Sequence, residues 1–368
     1  MLRALTTEID PRPVGLARII IGVAALIRAF VAWRVLYRLT DPEVLRAPFA
    51  DWLPQPDLPL VIFIIAIWVI SAILFTLGWR VSITGPVLLG AIVVTLSLDQ
   101  QAYSNHLYLM AWLVLLLTLA SAGSGVSIHR SDSPVVRWPV LLLMIQLSFV
   151  YGFSALTKFN ESFFTGQVLA GTLGYGLLPF PDSFRTPFLL SVAAAAAVFV
   201  ELFIALFMWR RLLRPAAFVL GLGLHASITL LMAGTLELLV FSLEMLALYP
   251  LFLSRDPLVV IWDDECGWCR DWIARFKRID VLNVLRPLGK ADPSSPVPAA
   301  EVERAMHLVH LGETSSGFRA VTLTLEHLVP TLWVAPILRL PGVRSVGEAW
   351  YVWQARRRSC RLVDVSTP

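Results

Sequence analysis

Long apolar runs constrain this 368-residue chain more than any other feature. Each has about the 20 apolar residues that a helix needs to cross the hydrocarbon core of a membrane. Hydrophobic residues make up 57% of the chain and charged residues 15%, whereas soluble domains carry about 25% charged residues. The composition therefore predicts a mostly α, polytopic membrane bundle of about eight helices. The runs cover residues 14–37, 60–79, 82–98, 107–123, 139–158, 188–209, 216–234 and 237–253.

The composition changes near Arg255, which predicts two domains. Residues 1–255 hold the apolar runs and are predicted to form the membrane domain. Residues 256–368 have frequent charges, shorter apolar runs and turn-rich segments, so a small C-terminal α/β domain is predicted there. The first 13 residues are polar and lack the apolar core of a secretory signal, so the first run is expected to be a spanning helix.

Arginine and lysine are distributed unequally over the segments between the runs. Positive residues near helix ends favour the cytoplasmic side of a membrane. Their excess in alternate segments predicts an integral membrane protein with both termini in the cytoplasm, in the inner membrane if the source is bacterial. The net charge is only +4 and lies in short clusters, which indicates the lipid bilayer as a partner and no nucleic acid.

Cys266 and Cys269 form a CxxC motif between the strand-like "LVVIW" and the helix-like "GWCRDWIARFKRI". A helix N-terminus favours a thiolate, and a second thiol one turn away resolves a mixed disulfide. The motif therefore predicts thiol–disulfide exchange, although the acidic run 263–265 before it opposes a thiolate. Half of a zinc site and a pair of inert buried cysteines stay open as alternatives. Cys360 is assigned no role.

The stretch "VVIWDDECGWCRDWIARFKRID" resembles the DCC family of thiol–disulfide oxidoreductase-like proteins, whose hallmark is Asp-x-x-Cys-x-x-Cys after the first strand. The later "SSGFRAVTLTLEHL" and "LRLPGVRSVGEAWYVWQARRR" are similar to the helical tail of that family. The resemblance implies a thioredoxin-like fold with Cys266 and Cys269 as catalytic residues. Asp264 stands where the family usually has glycine.

Several polar residues lie within or at the ends of the apolar runs. They are Arg28, Gln146, Lys158, Glu201, His225 and Glu244, and His106 lies just before the fourth run. Such residues are costly at membrane depth and usually face a bundle interior or a water-filled cavity. Structural roles stay open: Lys158 could reach the headgroups, Arg28 could pair with Glu201, and His225 could bind a neighbouring helix.

The predicted topology puts His106 and Lys158 on the same, outer side. A lysine in partly apolar surroundings loses stabilisation of its charge, so its neutral amine becomes a usable base. Such a base beside a histidine suits proton removal from a lipid-soluble acid such as a hydroquinone. Tyr151 shares a helical face with Lys158, and Tyr151, Glu201 and His225 are predicted to contact the substrate.

Four further segments carry a second resemblance: "SNHLYL", "FVYGFSALTKFNESFFTGQVL", "LHASITLLMAG" and "FSLEMLALYPLFLSRD". In this order they resemble the membrane domain shared by vitamin K-dependent gamma-carboxylase and bacterial HTTM proteins. The resemblance implies that Lys158 is the base that deprotonates a hydroquinone, that His106 assists it, and that vitamin K or another quinone is the cofactor. Where the carboxylase has a large soluble domain, this chain has the DCC-like domain.

These features lead to one main hypothesis, an integral membrane oxidoreductase. Its dithiol would exchange electrons with a cytosolic thiol partner, and its membrane domain would handle a lipid-soluble quinone through Lys158 and His106. One alternative is a carboxylase-like enzyme that acts on a small or peptide substrate and does not need the dithiol. The other alternative is a non-enzymatic membrane scaffold.

Overall fold

A computed structural model describes residues 5–128, 133–253 and 257–357. Arg255, at the predicted domain boundary, and Cys360 lie outside the described residues. The chain divides into two compact units. The first holds the described residues before Arg211 together with Leu220–Phe252, and the second holds Arg211–Val219 and the described residues after Phe252.

Apolar helices follow one another from Arg12 to Leu246. They are α1 (Arg12–Arg38), α2 (Leu58–Leu77), α3 (Val81–Leu98), α4 (Asn105–Leu119), α5 (Arg137–Thr157), α6 (Glu161–Phe164), α7 (Gln167–Thr172), α8 (Pro187–Phe207), α9 (Arg214–Leu231) and α10 (Thr235–Leu246). Two short strands, β1 (Glu8–Ile9) and β2 (Val135–Val136), pair antiparallel. A 3₁₀ turn, Tyr249–Phe252, follows α10.

The described residues contain seven helical segments that are long and apolar enough to cross a membrane, which confirms the predicted polytopic bundle. The helix predicted over residues 107–123 is shorter in the structure, where α4 runs from Asn105 to Leu119 and has 15 residues. Ser104 fixes its start by accepting the N–H of Leu107 at 3.1 Å, and the chain turns at Ser121, whose φ is 53°. The last predicted run is divided, since Pro250 cannot continue the hydrogen bonding of α10.

Small side chains let α1 pack closely against its neighbours. Ala24, Ala25, Ala29 and Ala32 are all buried. Close packing of small residues is a main source of helix association in membranes, where lipid tails are as apolar as the side chains. Trp68 of α2 fills the remaining space, and its indole N–H donates to the carbonyl of Ala25 at 3.0 Å.

The second unit contains a mixed four-stranded sheet. Its strands are β3 (Leu258–Trp262), β4 (Leu285–Gly289), β5 (His307–His310) and β6 (Glu313–Ser316), in the order β4-β3-β5-β6. β3 pairs parallel to β4 and antiparallel to β5, and β5 pairs antiparallel to β6. Together with the helix between β3 and β4, this order is that of a thioredoxin-like sheet, as the sequence predicts.

Five helices accompany this sheet. They are α11 (Gly267–Ile279), α12 (Ala299–Val302), α13 (Gly317–His327), α14 (Ala335–Leu338) and α15 (Pro341–Arg356). α11 is strongly amphipathic and buries Cys269, Ile273 and Phe276 on one face. That face follows from residues three and four apart lying above one another on a helix.

Arg18 is expected to be a major determinant of stability in the first unit. It is fully buried and donates to the carbonyls of Ala122 at 2.7 Å, Thr76 at 3.2 Å and Val126. Arg18→Met leaves three buried carbonyls without this donor, so we expect a loss of about 2–5 kcal/mol in the free energy of unfolding. Arg34→Met, on the exposed side of α1, is the matched control. Thermal unfolding in detergent compares them, and equal melting temperatures would contradict this role.

Candidate functional site

Lys158 ends α5 and forms an ion pair inside the first unit. Its ammonium donates to both carboxylate oxygens of Glu201 at 2.6 Å and to the hydroxyl of Ser154 at 2.7 Å. The Glu201 side chain is 9% exposed and that of Lys158 is 25% exposed. The ring of Phe163 lies 5.8 Å from the ammonium nitrogen. The pair is therefore shielded but open on one side.

The pair lies well inside the span of α8. Glu201 follows Pro187 by 14 residues and precedes Phe207 by 6, which places it about 21 Å from one end of the helix and about 9 Å from the other. α5 and α8 are offset along their axes. The indole of Trp209, just after the end of α8, donates to Ser148 in the middle of α5 at 2.8 Å. Glu201 therefore lies within the apolar length of α8, and Lys158, which directly follows the last residue of α5, reaches it there.

The space beside the first half of α8 is filled by α6 and α7, two short helices that sequence analysis does not predict. Phe163 and Leu169 pack there against Leu190, Ala194 and Val198 of α8. Neither helix has the length that gives a recognisable period in the sequence. Through Phe163 of α6, this packed segment lies beside the Lys158 ammonium.

A second set of polar groups surrounds Tyr151, two helical turns before Lys158. The Tyr151 hydroxyl shares hydrogen bonds with Nε2 of His225 at 2.7 Å and with the hydroxyl of Tyr249 at 2.8 Å. Nδ1 of His225 lies 3.1 Å from the Ser242 hydroxyl, which lies 2.9 Å from Thr229. The structure thus joins the predicted residues Tyr151 and His225. It adds Tyr249, Ser242 and Thr229, which the sequence does not single out.

His106 belongs to a different cluster from Lys158. Its ring centroid lies 4.6 Å from that of Phe241, and the ring centroid of His225 lies 5.5 Å from the same phenylalanine. Within the described residues, Nδ1 of His106 is buried without a hydrogen-bond partner. The expectation of a histidine directly beside the lysine therefore does not match the hydrogen-bonded neighbours of Lys158.

Arg28 pairs with Glu237 and donates to Ser104 at 3.0 Å. The proposed structural pair of Arg28 with Glu201 is wrong, because Glu201 binds Lys158. Glu244 lies about two helical turns after Glu237 on α10 and is fully buried. Both of its carboxylate oxygens are without a hydrogen-bond partner among the described residues.

Gly221 is expected to be required for the Tyr151 cluster. A Cβ at this position would lie 1.8 Å from the Tyr249 hydroxyl. Gly221→Ala should therefore displace Tyr249 and break its hydrogen bond with Tyr151, with a loss of about 1–3 kcal/mol in stability. Gly223→Ala on the same helix meets no atom within 4 Å and serves as control. Thermal unfolding of both variants in detergent is the measurement, and equal values would contradict the close approach.

The predicted dithiol lies in the second unit, where β3 ends and α11 begins. Cys266 is the N-cap residue of α11 and Cys269 lies in its first turn. The N–H of Cys266 donates to the carbonyl of Asp263 at 3.2 Å. Cys266 is 0% exposed and Cys269 is 6% exposed. The position is the one that favours a thiolate, although both sulfurs are covered by other side chains.

An ammonium group balances the acidic residues before the dithiol. Nζ of Lys290 lies 2.8 Å from Glu265, 3.1 Å from Asp263 and 3.1 Å from Glu303. The hydrogen bond to Glu265, followed by those to Glu303 and Asp263, raises the pKa of Lys290 above its ordinary value. Sequence reasoning missed Lys290, because it lies 24 residues after Cys266 and only the parallel pairing of β3 with β4 brings the two segments together.

An apolar groove of about 60 Å³ opens beside Cys269. It is rich in tryptophan, and Met306 precedes β5 at its edge. Cys269 of the dithiol is among the residues that line this groove. It is lined by Trp262, Trp268, Cys269, Trp272, Ile273, Phe276, Met306, Val321, Trp350 and Tyr351.

The helical bundle and the buried dithiol define an integral membrane protein that carries a thiol–disulfide oxidoreductase type of domain. Comparison with protein-family models matches residues 6–256 to the HTTM domain and residues 260–362 to the DCC1-like thiol-disulfide oxidoreductase. The chain belongs to the HTTM family, with a DCC1-like domain after the HTTM domain. The resemblances to HTTM proteins and to the DCC family are thereby confirmed. Searches of curated proteins and of solved structures gave no significant match.

Proposed function

We propose that this protein is a membrane-bound thiol–disulfide oxidoreductase whose membrane unit binds a quinone-type lipid. The observation that carries the first part is the Cys266–Cys269 dithiol at the N-terminus of α11, in a DCC1-like domain. The second part depends on the Lys158–Glu201 pair, which lies inside the span of an apolar helix. We place both termini in the cytoplasm, in accord with the arginine-rich segments.

The dithiol reaction transfers two electrons. The Cys266 thiolate attacks a disulfide of the thiol partner, the partner's S–S bond breaks, and the leaving thiolate takes up a proton. The Cys269 sulfur then attacks Cys266 in the mixed disulfide and releases the second thiol. Cys266 and Cys269 end as a disulfide, and the partner's disulfide ends as two thiols. Because both sulfurs are buried, the side chains that cover them must move before a bulky partner reaches them.

The geometry around Lys158 supports a division of labour with Glu201. All the hydrogen bonds described for the ammonium are donated to Glu201 and Ser154, so the carboxylate holds the lone pairs that can accept a proton. In place of Lys158, which the sequence resemblance implies as the base, we propose that Glu201 takes the proton of a hydroquinone hydroxyl and that the Lys158 ammonium stabilises the oxyanion that forms. A preorganised cation in an apolar site stabilises developing negative charge far better than one in water.

A lipid-soluble ligand has a direct approach to this pair. Phe149, Phe153, Leu156 and Phe159 around the end of α5 are all exposed, which is expected of side chains that face acyl chains. The exposed quarter of the Lys158 side chain is the side from which a quinone would reach the pair. The buried Nδ1 of His106, which has no partner within the described residues, is a second group to which a ligand could donate or from which it could accept a hydrogen bond.

Loss of the Lys158–Glu201 pair is expected to weaken binding of a naphthoquinol by about tenfold or more, the value of one charge-assisted hydrogen bond. Because a single substitution leaves one charge unpaired and destabilising, the test variant is Lys158→Met combined with Glu201→Gln. Arg137→Met, at the exposed start of the same helix, is the control. Anaerobic equilibrium binding in lipid nanodiscs measures the effect, and unchanged affinity in the folded double variant would rule out this site.

Alkylation in sealed cells tests the dithiol, its side of the membrane and its link to quinone. In a Cys360→Ser background, a permeant maleimide should label Cys266 and Cys269 and an impermeant one should not. Added quinone should remove the labelling, because two electrons and two protons pass to quinone as the dithiol becomes a disulfide. The reverse of the exchange described above would then reduce this disulfide again, as two thiols of the partner become a disulfide. The Cys266→Ser/Cys269→Ser variant gives the background signal. Labelling by the impermeant reagent would contradict the proposed orientation. Labelling that does not change when quinone is added would show that the dithiol does not pass electrons to quinone.

A further inference from the structure

The segment before the dithiol presents an electrostatic conflict. Asp263, Asp264 and Glu265 directly precede Cys266, and negative charge near a thiol disfavours its ionisation. A thiolate at Cys266 is nevertheless the species that thiol–disulfide exchange requires. The dipole of α11 alone offers only about half an elementary charge against these acids.

Lys290 brings a positive charge into direct contact with this segment. Its ammonium lies within 3.1 Å of Asp263 and 2.8 Å of Glu265, the residues three and one positions before Cys266. It also contacts Glu303, directly after α12, at 3.1 Å. The Lys290 side chain is only 11% exposed, so its interactions are screened by solvent much less than those of a surface lysine.

The end of β4 also holds the same segment by its backbone. The N–H of Lys290 donates to a carboxylate oxygen of Asp264 at 3.2 Å. Gly289 leaves room for this contact, since a Cβ there would lie 2.5 Å from the other Asp264 oxygen. Asp263 in turn accepts the N–H of Cys266 through its carbonyl. A continuous set of contacts thus runs from Lys290 to the backbone of the dithiol.

We propose that Lys290 is a positioning residue of the dithiol, which offsets part of the negative charge of the acidic segment 263–265 and fixes Cys266 at the start of α11. The inference rests on the proposed thiol–disulfide function. The charged groups that face this region are Asp263, Asp264 and Glu265 before the dithiol, Arg270 on α11, Lys290 after β4 and Glu303 after α12. Among these, Lys290 is the cation that binds three carboxylates directly.

The test uses the full-length protein with Cys360→Ser in nanodiscs and follows dithiol alkylation as a function of pH. Lys290→Met should move the midpoint of that profile upward by about one pH unit, which lowers the thiolate fraction about tenfold near neutral pH. Lys290→Arg should restore most of the original midpoint. Lys277→Met is the control, because Lys277 pairs with Asp280 at the far end of α11.

A second substitution separates charge from structure. Glu265→Gln removes one acid from the same cluster and should move the midpoint downward, opposite to Lys290→Met. If both variants move it in the same direction, or if folded Lys290→Met keeps the original midpoint, the inference is wrong. Equilibration with glutathione tests the underlying function separately. If the wild-type dithiol never forms a disulfide, the proposed thiol–disulfide function is wrong. The pH profile of alkylation would still measure the effect of Lys290 on the dithiol.

Discussion

The cost of placing charge in an apolar interior accounts for most of the polar geometry of the membrane unit. An isolated charge at the centre of a spanning helix costs about 3 kcal/mol or more. Arg18 meets this constraint with three backbone carbonyls, Arg28 with Glu237, and Lys158 with Glu201. Each contact joins segments far apart in the chain, so the same interactions that satisfy the charges also fix which helices are neighbours.

The constraint acts differently in the second unit, where charges lie close to water. There the acidic segment before Cys266 does not need a partner for solubility, yet Lys290 is held among three carboxylates with little exposure. Long lysine side chains usually lose entropy when fixed in this way and gain little at a surface. An arrangement of this kind at the N-terminus of the helix that carries the dithiol favours a role in tuning its chemistry.

Sequence reasoning predicts the parts of this protein that depend on local pattern. Apolar runs of membrane-spanning length give the positions of eight helices, and the strand-to-helix transition gives the position of Cys266 and Cys269. Sequence reasoning does not predict which charged residues pair with each other. Arg28 pairs with Glu237, which is 209 residues away in the chain. Lys158 pairs with Glu201, and α6 and α7 lie between these two residues in the chain. Nor does sequence reasoning predict α6 and α7, which are too short for a hydrophobic period and are held in place by packing on α8.

The offset between α5 and α8 separates the segment after Lys158 from the ion pair. That segment packs along the first half of α8 through Phe163, Leu169 and Leu173, whereas Glu201 lies in the second half of the helix. Tyr175 and Leu177, further along the same segment, are strongly exposed and make no part of the Lys158–Glu201 contact. Substitutions at these exposed positions therefore leave the pair in place, so the two stretches of chain can change independently of each other.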